Sequence, residues 1–463
     1  MCRHRRTESA DGNAMKKTVL AILLILAAAA LAVSLLWVNG FFDRPAAPAE
    51  PSDISQEEQI PAEIPEENVE TEEPSKPSEW KIPEDDGKNA QQDPSEETDA
   101  EDVTEENSGA SEETALPEEP AVQEDPLAEM LAEMTLEQKV GQMILARYPD
   151  TDAQAAALVQ ETGVSGFVLF AREFNGKNAE QVRAMTAALQ EAADVPLILA
   201  VDEEGGTVCR VSGNPQLRSS KFSSPQRLYG EGGLDALRAD AAEKSALLSD
   251  LGLNVNLAPV CDVSTNPADF IYDRSMGLDG QGTAEAVAAI VGAMDKTGAV
   301  LKHFPGYGGA ADTHTGAAYD NRTYDTFVDS DFLPFLAGFE AGAQAVMVCH
   351  NVVACMDPDR PASLSEEVHR ILREELHFDG VAVTDDLAMG AVGGYSDEEA
   401  AVKAVKAGND LLCSSAPKTQ YGAILSAVQS GEIPEERIDE SVMRILKWKA
   451  SLGLLESVTE EAN

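Results

Sequence analysis

The chain is 463 residues long and carries 82 Asp/Glu against 34 Lys/Arg, a formal net charge of -48. A balance this acidic repels phosphate backbones and anionic lipid headgroups, so neither nucleic acid nor an anionic membrane surface is expected as a partner. Six cysteines, at positions 2, 209, 261, 349, 355 and 413, show no Cys-x-x-Cys and no metal-finger spacing, so free and mostly buried thiols are expected.

The charge is unevenly spread. Residues 1–44 hold six Lys/Arg and three Asp/Glu; residues 45–125 hold 28 Asp/Glu against three Lys; residues 126–463 supply the remaining -26. Within the first segment, residues 1–17 form a basic N-terminus and Thr18 to Val38 are free of charge and mostly Leu, Ile, Ala and Val. That run is long enough to span a bilayer as a helix. Arg3, Arg5, Arg6, Lys16 and Lys17 precede it, which leaves the N-terminus cytoplasmic and the rest outside. The expected arrangement is a single-pass protein of the cell membrane with an extracellular body. A cleaved signal peptide and secretion are the alternative, which Trp37, Phe41 and Phe42 at the end of the apolar run disfavour. Residues 45–125 are Glu, Pro, Ser, Asp and Thr with Trp80 as their one aromatic, a composition that cannot bury enough apolar surface to order itself. They are expected to be a disordered acidic linker.

Residues 126–457 have the composition of a folded body. Short apolar runs at Met143–Ala146, Gly166–Phe170, Leu197–Val201, Val255–Val260, Gly298–Leu301, Ala345–Val348, Val381–Val383 and Leu411–Leu412 read as strands. Between them lie helical patterns such as 179–193, 234–250, 284–297, 365–376 and 397–407, and 437–455 reads as closing helices. Eight strands alternating with helices predict an α/β fold, a (β/α)8 TIM-type barrel as a single catalytic domain. A doubly wound open sheet is the alternative, with fewer units.

In such a barrel chemistry collects where strands run out into loops. Asp202 follows the third run, with Arg210 in the loop beyond; Arg274 lies after the fourth; Lys302 and His303 follow the fifth, His350 and Asn351 the sixth, and Asp385 and Asp386 the seventh. The loop from Gly306 is rich in Gly and small residues and carries Asp312 and His314 two positions apart. An imidazole beside a carboxylate suits acid/base work near neutrality, although loop Asp and His residues are more often merely solvated. Asp385 stands where a nucleophile on a rigid element would sit and equally where a helix cap would. His350 suits either a pocket floor or a satisfied core position, while His369 and His377, in or beside a helix, read as structural.

The string Lys302-His-Phe-Pro-Gly306, followed by Asp312-Thr-His314, resembles the signature of the β-N-acetylhexosaminidase (β-N-acetylglucosaminidase) branch of glycoside hydrolase family 3. Val383-Thr-Asp385-Asp-Leu-Ala-Met389 looks like that family's nucleophile motif. Asp202-Glu-Glu-Gly-Gly-Thr-Val-Cys-Arg210, Leu257-Ala-Pro-Val-Cys-Asp262 and Met134–Gln142 are similar to three more of its motifs, and the likeness covers about residues 128–455. The resemblance implies a retaining glycosidase with Asp385 as nucleophile, His314 as acid/base in place of the second carboxyl group, and Asp312 orienting His314. Asp202, Arg210, Arg274, Lys302 and His303 would grip the sugar hydroxyls, with His350 lining the pocket. No cofactor or metal is implied. The implied activity is exo-hydrolysis of terminal β-linked N-acetylglucosamine from peptidoglycan fragments or chitooligosaccharides; a β-glucosidase or phosphorylase of the same family and an inactive wall-binding module are the rivals. Glu203 and Thr207 replace Gln and Arg of the family pattern, which predicts a more acidic pocket rim. Tyr307 stands where His is common, and the His303–His314 spacing looks one residue short.

Overall fold

The structure, a computed structural model, describes residues 125–310, 312–313 and 316–455. The expected membrane helix, the acidic linker and His314 lie outside the described residues. Among the described residues no helix is long and apolar enough to cross a membrane.

The eight expected strands are all present: β1 Ile144–Arg147, β2 Gly166–Leu169, β3 Ile198–Val201, β4 Val255–Asn256, β5 Gly298–Phe304, β6 Ala345–Val348, β7 Val381–Thr384 and β8 Leu412–Ser414. They pair in parallel in the order β7-β6-β5-β4-β3-β2-β1-β8. The ring closes where Val383 bridges Leu411 and the Thr384 amide donates to the Leu411 carbonyl at 3.0 Å. Parallel strands covered on both faces are continuous apolar runs, and β2, β3, β6 and β7 are buried at every residue. Because all eight run the same way, their C-terminal ends share one rim.

Helices flank this ring. The principal ones are α1 Asp152–Thr162, α2 Ala179–Glu191, α3 Pro225–Asp250, α4 Gly280–Val291, α5 Phe332–Glu340, α6 Asp397–Ala407, α7 Pro417–Gln429 and α8 Glu435–Ser451. Capping sets several starts: Asn178 with Gln181 and Ser396 with Glu399 form reciprocal capping boxes before α2 and α6. Helix α3 starts nine residues before the expected Leu234, at Pro225, and is broken by non-helical dihedrals at Gly232 and Gly233. The expected helix 365–376 is instead an α-helical turn, Glu366–Arg370, running into a wider π turn, Ile371–Glu375.

Two strand boundaries differ from the apolar runs. Strand β4 is only two residues long, because the Ala258 amide turns back to the Asn256 carbonyl at 2.8 Å and the ladder bulges there, although Val260 still bridges Lys302. Strand β5 continues past Leu301 to Phe304, with a register shift against β6 between Lys302 and Phe304. Cys209, Cys261, Cys349 and Cys413 are buried free thiols and Cys355 is an exposed one.

Candidate active site

Strand β3 ends at Val201, and the next three residues alternate faces. Asp202 and Glu204 point one way, toward β5, while Glu203 points the other. Glu203 is fully buried: its carboxylate accepts from the backbone amides of Arg210 (2.9 Å) and Val211 (2.7 Å) and from the Ser212 hydroxyl. It therefore pins the hairpin Glu203–Gly205/Val208–Cys209 and does not make the rim more acidic, contrary to the sequence expectation. Thr207, at the tip of that hairpin, is exposed. Gly205 allows the hairpin to pass Ser223, whose carbonyl oxygen would lie 2.3 Å from an added Cβ; its φ of +103° also suits glycine.

Strand β5 delivers Lys302 and His303 to the same rim. Lys302, 2% exposed, donates to Asp202 Oδ1 at 2.7 Å and lies 2.6 Å from Glu204 Oε1. Arg274 closes a fork on Glu204, with Nε to Oε2 at 3.0 Å and Nη2 to Oε1 at 2.8 Å. Burial would push Glu204 up, but the Lys302 ammonium and Arg274 guanidinium hold its carboxyl well below the usual range. Burial likewise opposes the charge on Lys302, and Asp202 and Glu204 overcome it, so its pKa is raised. From α3, Lys244 donates to the Glu204 carbonyl at 2.8 Å and pairs with Asp240 at 2.6 Å, bracing the turn from behind.

Arg274 Nη2 also lies 3.2 Å from His303 Nε2, and His303 Nδ1 lies 2.7 Å from Asp262 Oδ2. An arginine only donates, so whenever His303 is neutral its Nδ1–H donates to Asp262 and its Nε2 accepts from Arg274. Asp262, fully buried, additionally accepts from the His303 amide (3.2 Å) and the Tyr307 amide (2.8 Å), which ties the start of the Gly-rich loop to the loop after β4. Arg210 stands at the edge, its Nε 3.8 Å from Asp202 Oδ2 and its guanidinium over the Phe170 ring.

Asp385, one residue past β7, is half-buried, and its amide donates to the Val348 carbonyl at 3.0 Å. Its Oδ1 accepts from the Asp386 amide at 2.8 Å. Neither acid caps a helix, because the chain turns here instead: Asp386 Oδ1 accepts from the Ala388 amide at 3.0 Å, closing that turn, and Oδ2 accepts from the Ser415 hydroxyl at 2.7 Å. Burial would raise Asp385, but the His350 and His303 imidazoles, the Asp386 amide and the Lys302 ammonium outweigh it and hold the carboxyl below its ordinary value. His350 is fully buried, with Nδ1 2.7 Å from the Ser363 hydroxyl and Nε2 3.0 Å from the Asp386 carbonyl. It packs beneath the turn that follows β7. His369 is also buried, its Nδ1 on the Ser365 carbonyl at 2.8 Å, and His377 is exposed.

The Gly-rich loop reaches the same rim. The Tyr307 hydroxyl bonds the Thr313 hydroxyl, and the Thr313 carbonyl accepts from the Ala391 amide at 3.0 Å, six residues beyond Asp385. Asp312 and Thr313 are thereby held beside the turn that follows the nucleophile candidate. Glu204 and Asp262 were not singled out from the sequence as site residues. Their membership of the Asp-x-Glu-Gly-Gly and Leu-Ala-Pro-Val-x-Asp motifs was the available signal.

The Glycosyl hydrolase family 3 N terminal domain model matches residues 135–448. A β-hexosaminidase of Xanthomonas campestris pv. campestris (strain B100) is 36% identical over 249 residues, 52% of this chain and 74% of that protein. A β-hexosaminidase of Xylella fastidiosa (strain M23) is 35% identical over 289 residues, 60% and 83% of the two chains. The solved family 3 β-N-acetylglucosaminidase of Paenibacillus sp. str. FPU-7 superposes with a TM-score of 0.65 at 34% identity, covering 69% of this chain and 63% of that one.

Proposed function

Since this chain belongs to glycosyl hydrolase family 3 and is a glycoside hydrolase, we propose that it is a retaining exo-β-N-acetylglucosaminidase acting on terminal β-linked N-acetylglucosamine of peptidoglycan fragments or chitooligosaccharides. One observation carries the reading. A half-buried carboxylate held in its charged form at the end of β7 faces a rim where Asp202, Glu204, Arg274, Lys302 and His303 form one connected donor and acceptor array. Such an array suits several hydroxyls of one terminal sugar, and charge-assisted bonds give it grip.

In this reaction Asp385 attacks the anomeric carbon and the glycosidic C–O bond breaks, leaving a glycosyl-Asp385 ester. His314 gives its proton to the departing oxygen, then takes one from the water that hydrolyses the ester, and Asp312 steadies its imidazolium. The low pKa of Asp385 keeps the nucleophile ionised, and the backbone bond from Ala391 to Thr313 supports bringing the loop to the same sugar. The names of the relatives support N-acetylhexosamine over glucose. The apolar run at 18–38 and the acidic stretch 45–125 support an anchored, exported enzyme for which wall fragments are the nearest polymer.

The test is hydrolysis of p-nitrophenyl β-N-acetylglucosaminide by the full chain, with and without phosphate, alongside the β-glucoside. Release of N-acetylglucosamine with retained configuration and no phosphate requirement is expected. A glycosyl phosphate product, or preference for the glucoside, would replace this reading with one of its family rivals. Absence of any turnover would leave the wall-binding module.

A further inference from the structure

The Gly-rich loop leaves the barrel through Gly306 and Gly308 and returns through Tyr319–Asp320, which pairs with Val352–Val353 just beyond β6. One side chain touches both necks. Arg322 spans two buried carboxylates: its Nε donates to Asp320 Oδ2 at 2.9 Å, its Nη1 to Asp331 Oδ2 at 3.0 Å and its Nη2 to Asp331 Oδ1 at 2.8 Å. Its guanidinium lies over the Phe327 ring, 4.5 Å from the centroid. Gly308 rests on the same guanidinium so closely that a Cβ there would sit 2.5 Å from Arg322 Cζ, and a Cβ on Gly306 would sit 2.5 Å from Asp331 Oδ1. Both glycines have positive φ, +129° and +51°.

We propose that Arg322 is a positioning residue for the acid/base step, a clasp that holds the outgoing and returning necks of the loop carrying Asp312 and His314 together. The inference rests on the assignment of His314 as acid/base. Two carboxylates on one guanidinium leave the cluster with a net negative charge, and bidentate geometry fixes direction as well as distance. Asp331 is nearly fully buried, and burial pushes its pKa up to about 6 although Arg322 pulls it down, while Asp262 and Asp320 add to the rise. The clasp is thus made from groups whose desolvation is offset only while the guanidinium is in place. A purely structural pair would not need two glycines of the outgoing neck seated against it while its arginine is bonded to Asp320 of the returning one.

The experiment compares leaving groups. A 2,4-dinitrophenyl β-N-acetylglucosaminide departs without a proton, whereas chitobiose needs one, and kcat/KM reports the step up to glycosyl-enzyme formation alone. Arg322→Met is expected to lower kcat/KM on chitobiose by about 10- to 100-fold and on the dinitrophenyl substrate by less than about threefold. Asp331→Asn, which keeps the shape of the clasp and one acceptor, is the milder variant should Arg322→Met fail to fold; it should show the same selective loss at smaller size. Equal loss on both substrates, or none on either, would overturn the proposal. His314→Ala is the control: a uniform loss there would instead remove the acid/base assignment, whatever Arg322 does.

Discussion

Asp385 and His314 carry different bonds in the proposed reaction, so their variants should fail in different ways. Asp385→Ala should lower kcat by about 10⁴-fold or more, and azide should restore turnover by attacking from the vacated face to give the α-glycosyl azide. His314→Ala should lose about 10²- to 10⁴-fold on substrates with poor leaving groups, and azide should there yield the β-glycosyl azide from the glycosyl-Asp385 ester. Product configuration by NMR separates the two, and the same anomer from both variants would refute the division of labour. Glu204 is where the sequence said least and the structure says most. Its carboxylate is the shared partner of Lys302 and Arg274, so Glu204→Gln should cut kcat/KM by roughly 10²-fold and lower Tm, because it leaves a buried ammonium half-paired. A melting curve and KM on the same preparation check this. The misreading of Glu203 as a rim residue shows what one-dimensional motif matching omits. Consecutive residues in an extended segment face opposite ways, so 202 and 204 could be placed together from alternation alone, and 203 could not join them. That Lys302 would be their partner needs the fold, since β5 lies 100 residues downstream of Asp202.

At the level of elements, the eight strands were legible because parallel barrel strands are apolar throughout, a pattern that survives without tertiary information. Their ends were not. The apolar run of the fifth strand stops at Leu301, yet the ladder continues through Lys302 and His303 to Phe304, since hydrogen bonding to a neighbouring strand, and not polarity, decides where a strand stops. The closing helix α8 hides a different surprise. Lys449 on it is fully buried, its Nζ bonded to Gln142 Oε1 at 2.7 Å, and burial depresses its pKa to about 7 from an ordinary value of 10.5. A lysine with a lowered folded pKa is deprotonated in the fold where the unfolded chain still holds its proton. The unfolded state therefore binds more protons between pH 7 and 10.5, and the contribution to stability rises with pH across that window and is flat below it. Lys449→Met removes the effect. The wild type should gain stability relative to this variant from pH 7 to pH 9, by no more than a few kcal/mol at about 1.4 kcal/mol per pKa unit. Denaturant midpoints for both proteins at three pH values check the slope, and parallel curves would mean that the ammonium finds water the fold does not exhibit.

For the whole molecule, net charge is the property that the sequence exposes most fully, since the fold shifts only single groups such as Lys449 within a large acidic excess. Residues 126–463 carry -26 and residues 45–125 a further -25. The site offers little local relief: Arg210, Arg274 and Lys302 are set against Asp202, Glu204, Asp262 and Asp385, three cations among four carboxylates. An anionic wall fragment bearing lactyl and peptide carboxylates should thus be repelled on approach, while a neutral chitooligosaccharide should not. Added salt screens exposed charges beyond about 10 Å at 0.1 M, so it should raise kcat/KM for the anionic fragment several-fold between about 0.02 and 0.2 M and leave the neutral substrate unchanged. Deleting residues 45–125 separates the two sources. If the acidic stretch dominates, deletion should flatten the salt dependence for the anionic fragment; if the body dominates, the slope should persist. Initial rates at four salt concentrations decide it, and a kcat/KM that falls with salt would mean that the three site cations, not the overall charge, govern how a wall fragment arrives.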